Sequence, residues 1–167
     1  VRAGVGPAPL LQNCSGKHAG MLATAVVNGW ETAGYTRVDH PVQVAIVDYL
    51  RTSVGPIEHV GVDGCGAPAP TVSLIGLACA VQALAVGGHS VHRAMSSYPE
   101  MVGGPTRDVT ELMRLVPGLL VKDGAAGVQV AAPPDGRAIA LQGADGGGRP
   151  RTPVTVAALR SLGVAIA

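Results

Sequence analysis

The segment from Val72 to Val86 is the longest apolar run in the chain, broken only by Ser73 and Gln82. Thr71 precedes it, and its length and composition predict a helix to about Val86. A helix that is apolar all round must be surrounded by other elements, so it is expected at the centre of the fold. At this length it is too short to span a bilayer. The remaining sequence has to supply elements that cover it.

Other helices can be read on either side. Ser15 is placed to cap a helix reaching about Asn28, with Ala19, Met21, Leu22, Ala25 and Val26 toward the core. Asp39 and Pro41 open a second helix, which Gly55-Pro56 stops. "IEHVGVDGCGAPAP" reads as a loop after a short strand. A polar helix near Ser90–Ser97 follows the apolar one, then a loop over "YPEMVGGPTRD" and a short helix from about Arg107 to Leu115. The pattern then changes to the β-rich runs "LLVKDG", "GVQVAA" and "RAIALQ", with "PPDG" as a hairpin signal between the last two. A closing helix is expected over Pro153–Leu162. Helices, a hairpin and a final helix make an α+β fold with helices packed on a small antiparallel sheet.

With 167 residues, the chain is long enough for a domain with a genuine core. Apolar residues are 47% and charged residues 14%, which excludes a disordered chain. A net charge of +1 gives no electrostatic case for nucleic acid or an anionic membrane, and 2% aromatic content leaves few stacking platforms. No signal peptide is evident near the start. Three cysteines, an odd number, argue against a disulfide framework and for a reducing, cytoplasmic setting.

The chemistry-bearing residues concentrate in two places. In "NCSGKHAGM", Cys14, Lys17 and His18 stand at i, i+3 and i+4, so they share one face of a helix start. A phosphate loop is excluded: Leu11 stands where its first glycine belongs, and His18 replaces its Ser or Thr. The positive end of the helix dipole and Lys17 favour a thiolate at Cys14. In "VDGCGAP", Cys65 lies between two glycines that allow a close backbone approach, with Asp63 two residues earlier. Two thiolates, with a further ligand, make a zinc site; a capped helix start and a tight loop with a small buried cysteine are the competing reading. Cys79, inside the apolar helix, reads as core filling. Lys122, leaving a strand in "LLVKDG", resembles the strand lysine of serine-active acyl enzymes, and equally a turn with an exposed lysine. His89 and His92 read as the surface of a polar helix.

Taken in order, "QNCSGKHAGML", "VDGCGAPAP", "YPEMVGGPTRDVTELM", "PGLLVKDGAAGV" and "AALRSLG" resemble the asparaginase II family of rhizobial-type asparaginases. The resemblance implies a fold related to serine β-lactamases and glutaminases and hydrolysis of asparagine to aspartate and ammonia. It implies zinc held by Cys14, Lys17 and Cys65, with Asp63 binding the substrate, His18 supporting the ligands from behind, and Lys122 as the active-site lysine. It also implies a homo-oligomer when the protein is complete. The family's nucleophile lies in a Ser-x-x-Lys helix, and no Ser-x-x-Lys occurs in these 167 residues. Residues 1–167 are therefore expected to be the C-terminal portion, with the half that carries the nucleophile missing. Ala126 stands where the family has an acidic residue, and Gln142 where it has a lysine that competes with Lys122 for the catalytic role. The alternatives are a non-catalytic zinc-binding module and a truncated fragment.

Overall fold

A computed structural model describes residue 6 and residues 8–166. It shows an α+β chain that divides into two compact units, Val1–Thr71 and Val72–Ala167.

In the first unit, a 3-10 turn at Pro9–Leu11 leads into helix α1, Ser15–Val27. Cys14, not Ser15, is the residue that precedes the helix, and it makes no side-chain cap bond. Met21 and Ala25, four apart, are the buried face. Ala19 and Val26, expected inward, are exposed. Helix α2, Pro41–Val54, begins at its proline, whose missing N–H belongs to the unbonded first turn. His40 caps it: Nδ1 accepts from the Val42 N–H at 3.2 Å and Nε2 donates to the Glu31 carbonyl at 2.8 Å, which fixes the tautomer. Met21, Val42 and Ala67 form the core here, flanked by Trp30, Tyr35, Ile46 and Cys65. The "loop" after α2 is a hairpin: strands β1, Val60–Val62, and β2, Pro68–Pro70, pair antiparallel with Val62 opposite Pro68. Prolines are tolerated there because a two-stranded sheet has only edges.

The second unit is built on a three-stranded antiparallel sheet of β3 (Leu120–Asp123), β4 (Val128–Ala132) and β5 (Ile139–Gln142), in that order. Around it stand helices α3 (Leu74–Val86), α4 (Ser90–Ser97), α5 (Pro99–Gly103), α6 (Asp108–Leu115) and α7 (Arg151–Ser161). The two-residue strand period puts alternate side chains on opposite faces. Leu120, Val130 and Ala132 meet Val81 and Ala85 of α3 on one face. Val121 and Ala131 meet Val109, Leu112 and Met113 of α6 and Leu159 of α7 on the other. The sheet is thus the middle layer of three, and each fully buried Val or Leu contributes about 1.5–3 kcal/mol.

The apolar helix is where the sequence misleads most. Ser73 caps α3 by accepting from the Gly76 N–H. Only Val81 and Ala85 of α3 are buried, while Ile75 is 79% exposed. Cys79 is exposed, not core. An all-apolar helix has no moment to say which side turns inward; the sheet chooses the Val81 face. His92, expected on the surface, is buried, with Nε2 bonded to the Gly118 carbonyl at 2.8 Å. The expected loop at "YPEMVGG" holds α5, started by Pro99. Among the described residues no single helix is long and apolar enough to cross a membrane.

Candidate metal centre

The side chains of the site come from two short segments of the first unit. Cys14 ends the non-helical lead into α1, and its carbonyl accepts from the His18 N–H at 3.0 Å. Its side chain thereby sits at the positive end of the helix, and Lys17 follows one turn on. The other segment is the tip of the β1–β2 hairpin. The Asp63 N–H bonds the Ala67 carbonyl and the Gly66 N–H bonds the Asp63 carbonyl, both at 2.8 Å, closing a tight turn. Gly66 has φ +80°, a conformation that glycine adopts without strain. The turn carries Asp63 and Cys65 toward the start of α1.

Four side chains converge. One ligand atom each from Cys14, Asp63 and Cys65 lies within 4.8 Å of the others. The Lys17 Nζ donates to Asp63 Oδ2 at 3.1 Å and to Cys65 Sγ at 3.3 Å. Cys65 Sγ donates to Asp63 Oδ2 at 3.4 Å, and the Gly64 N–H holds Asp63 Oδ1 at 2.8 Å. All three clustered residues are half-buried. The Asp63 carboxyl is held below the usual range, first by the Lys17 hydrogen bond and then by the Gly64 N–H and Cys65. Burial pulls the Lys17 amine down, but its bonds to Asp63 and Cys65 outweigh this and raise it.

The donor set fits a zinc ion. Sulfur and nitrogen ligands about 2.0–2.3 Å from a tetrahedral ion stand about 3.3–3.8 Å apart, so groups already within 4.8 Å need only small side-chain movements. The Lys17 Nζ stands against Asp63 and Cys65, and an amine can join such a donor set only when deprotonated, a proton that a divalent ion displaces on binding. Asp63, expected to bind substrate, also stands within reach as an oxygen donor.

A cavity of about 220 Å³ opens beside the cluster, lined by Cys14, Cys65, Gln12, Ser15, His18 and Tyr35 among others. His18 Nδ1 and the Tyr35 hydroxyl are 2.6 Å apart, with the rings edge to face. Tyr35 lies in a loop, and nothing in "TAGYTR" marked it as a partner of the site.

Lys122 lies in the second unit, on β3 opposite Val130. It is half exposed, and its Nζ donates to the Asp123 carbonyl and, at 3.1 Å, to Asp123 Oδ1. Asp123 is partly buried, its side chain 11% exposed, and also takes Arg107 and, at 3.1 Å, Arg151. Burial pushes the Asp123 carboxyl up, but the hydrogen bond and charge of Lys122, with Arg107, leave it lowered. Gln142, the other candidate position, is exposed on β5 opposite Val128.

A search of curated proteins found no match. A family model described as L-asparaginase II matches residues 1–167, the whole chain. That match and the ordered motifs agree, and the chain belongs to the L-asparaginase II family.

Proposed function

We propose that this chain carries the zinc-binding part of an L-asparaginase-type active site, with the nucleophile supplied from outside residues 1–167. The observation that carries the reading is the convergence of Cys14, Asp63 and Cys65 within 4.8 Å, bridged by Lys17, in a member of this family. Cys14 and Cys65 hold the ion as thiolates and Lys17 as an amine. Bound zinc supplies a Lewis acid that orients and polarises polar groups of an amide such as asparagine. Asp63 is anionic across the neutral range and accepts hydrogen bonds from the substrate's ammonium group. Gly64 fixes one carboxylate oxygen, leaving Oδ2 directed at the cluster. His18 and Tyr35 form one wall of the adjoining cavity and hold each other's orientation.

Residues 1–167 contain no Ser-x-x-Lys, the motif that the family resemblance associates with the nucleophile. On this reading the serine that attacks the side-chain amide comes from outside these residues, and Lys122 is engaged by Asp123. The test is a paired measurement of metal content and ammonia release. The reading expects about one zinc per chain, no turnover of asparagine alone, and loss of the metal in a Cys14→Ala, Cys65→Ala variant. Turnover by the isolated chain with a serine-directed covalent adduct refutes it. Zinc without turnover, even when the rest of the family architecture is added in trans, leaves a binding module instead.

A further inference from the structure

Cys14 and Cys65 are free, half-buried thiols whose sulfurs lie within 4.8 Å of each other. A disulfide bond is about 2.05 Å long, so the two sulfurs have to close by less than ~3 Å. Neither is locked where it stands. Cys14 precedes α1, and its side chain makes no cap bond. Cys65 rides on the tip of the β1–β2 hairpin between Gly64 and Gly66, and a Cβ added at either glycine would meet no atom within 4 Å. The tip therefore has open space in which to shift. The third cysteine, Cys79, is exposed on α3 in the second unit.

Joining the pair needs an oxidant that reaches it. The cavity of about 220 Å³ beside the cluster is lined by both cysteines, with Gln12 and Ser15, and has room for hydrogen peroxide. The thiolate is the attacking form of cysteine. One thiolate attacks a peroxide oxygen; the O–O bond breaks, hydroxide leaves and a sulfenic acid remains. The second thiolate attacks that sulfur, the S–S bond forms and a second hydroxide leaves. The protons given up by the two thiols turn both hydroxides into water. Two thiols are thus oxidised and one peroxide is reduced. Lys17 Nζ, 3.3 Å from Cys65 Sγ, is placed to protonate a leaving hydroxide. We propose that Cys14 and Cys65 are an oxidation site, which hydrogen peroxide closes to a disulfide when no metal holds the pair. Both sulfurs belong to this chain, so the bond needs nothing from outside residues 1–167. Sulfurs joined to each other have no thiolate charge to offer an ion, so the disulfide and zinc exclude one another. That exclusion, unlike the bond itself, rests on the zinc site proposed for these residues.

The experiment is peroxide treatment of the intact chain, metal-stripped and zinc-loaded, both as wild type and with Cys79→Ser to remove the third thiol. Peptide mapping by mass spectrometry reads the cysteines, and a colorimetric chelator reads released zinc. The stripped chain is expected to show a Cys14–Cys65 link within one chain, lighter by about two mass units and opened by a dithiol reductant. The zinc-loaded chain is expected to link at least ~10-fold more slowly and to release its zinc as the link forms. Cys65→Ser is expected to leave Cys14 oxidised to sulfinic or sulfonic acid instead of linked. A stripped chain whose two cysteines both reach those acids without linking overturns the proposal. So do links that join only separate chains, and a Cys65 bridged to Lys17 through an oxygen. A link that forms in a chain that never binds zinc keeps the disulfide and overturns the zinc reading. Zinc in the loaded chain with no link in the stripped one does the reverse.

Discussion

Replacing Asp123 by Asn tests whether the Lys122 region is a structural anchor. The Asp123 carboxylate is 11% exposed and is shared by Arg107, Lys122 and Arg151. Arg107 and Lys122 are 45% and 50% exposed, so water replaces much of what they lose, and each exposed pair contributes about 0–1 kcal/mol. Arg151 is 16% exposed and cannot be rehydrated in place, so its charge-assisted bond, worth about 1.5–3 kcal/mol, carries most of the effect. Asn retains one acceptor oxygen. The expected loss is about 2 kcal/mol, roughly a thirtyfold change in the unfolding equilibrium. Urea unfolding followed at the β3 and β4 amides measures it. The pH dependence has a definite sign. The folded Asp123 carboxyl lies below its unfolded value, so its contribution is complete above about pH 4 and is lost as pH falls through the lowered folded value. Wild type and Asp123→Asn therefore converge in stability at strongly acid pH. A loss below ~0.5 kcal/mol at pH 7, or a gap that persists in acid, refutes the anchoring argument.

Other consequences can be checked separately. Leu159→Ala opens a cavity at a fully buried position between α7 and the sheet and is expected to destabilise by about 2–5 kcal/mol in thermal or urea unfolding. Gly103→Ala drives a Cβ into Val109 and Thr110, and backbone of the short α5–α6 turn has to shift; a lowered melting temperature is expected. With zinc bound, a thiol reagent is expected to titrate one cysteine rapidly, the exposed Cys79, and all three after chelation; Cys79→Ser removes the fast one.

Local signals placed the elements whose ends are chemically marked. Pro41 and Gly55 bound α2 where expected, and "PPDG" lies between β4 and β5. Local signals failed where tertiary packing decides. Nothing within α3 distinguishes Val81, which the sheet buries, from Ile75, which it leaves out, and Cys79 was misjudged for the same reason. Helix α5 was hidden by the glycines and proline that end it, although Pro99 at its first turn was a usable sign. Strand β2 is made of Pro68, Ala69 and Pro70, a composition that argues against a strand until its edge position is known. At the site, spacing predicted that Cys14 and Lys17 share a helix face, but not that Cys65 meets them. That meeting depends on a hairpin whose register no local pattern states, and the family resemblance supplied the expectation. Tyr35 pairs with His18 from a loop, where no periodicity operates.

The central claim, that Cys14, Lys17 and Cys65 jointly hold a divalent ion, is tested most directly by cobalt(II) substitution. The account predicts one cobalt per chain with the intense sulfur-to-metal absorption of two thiolates, weakened by either single cysteine-to-alanine change and abolished by both. A chain that binds no cobalt, or whose spectrum is unchanged when both Cys14 and Cys65 are replaced, contradicts it.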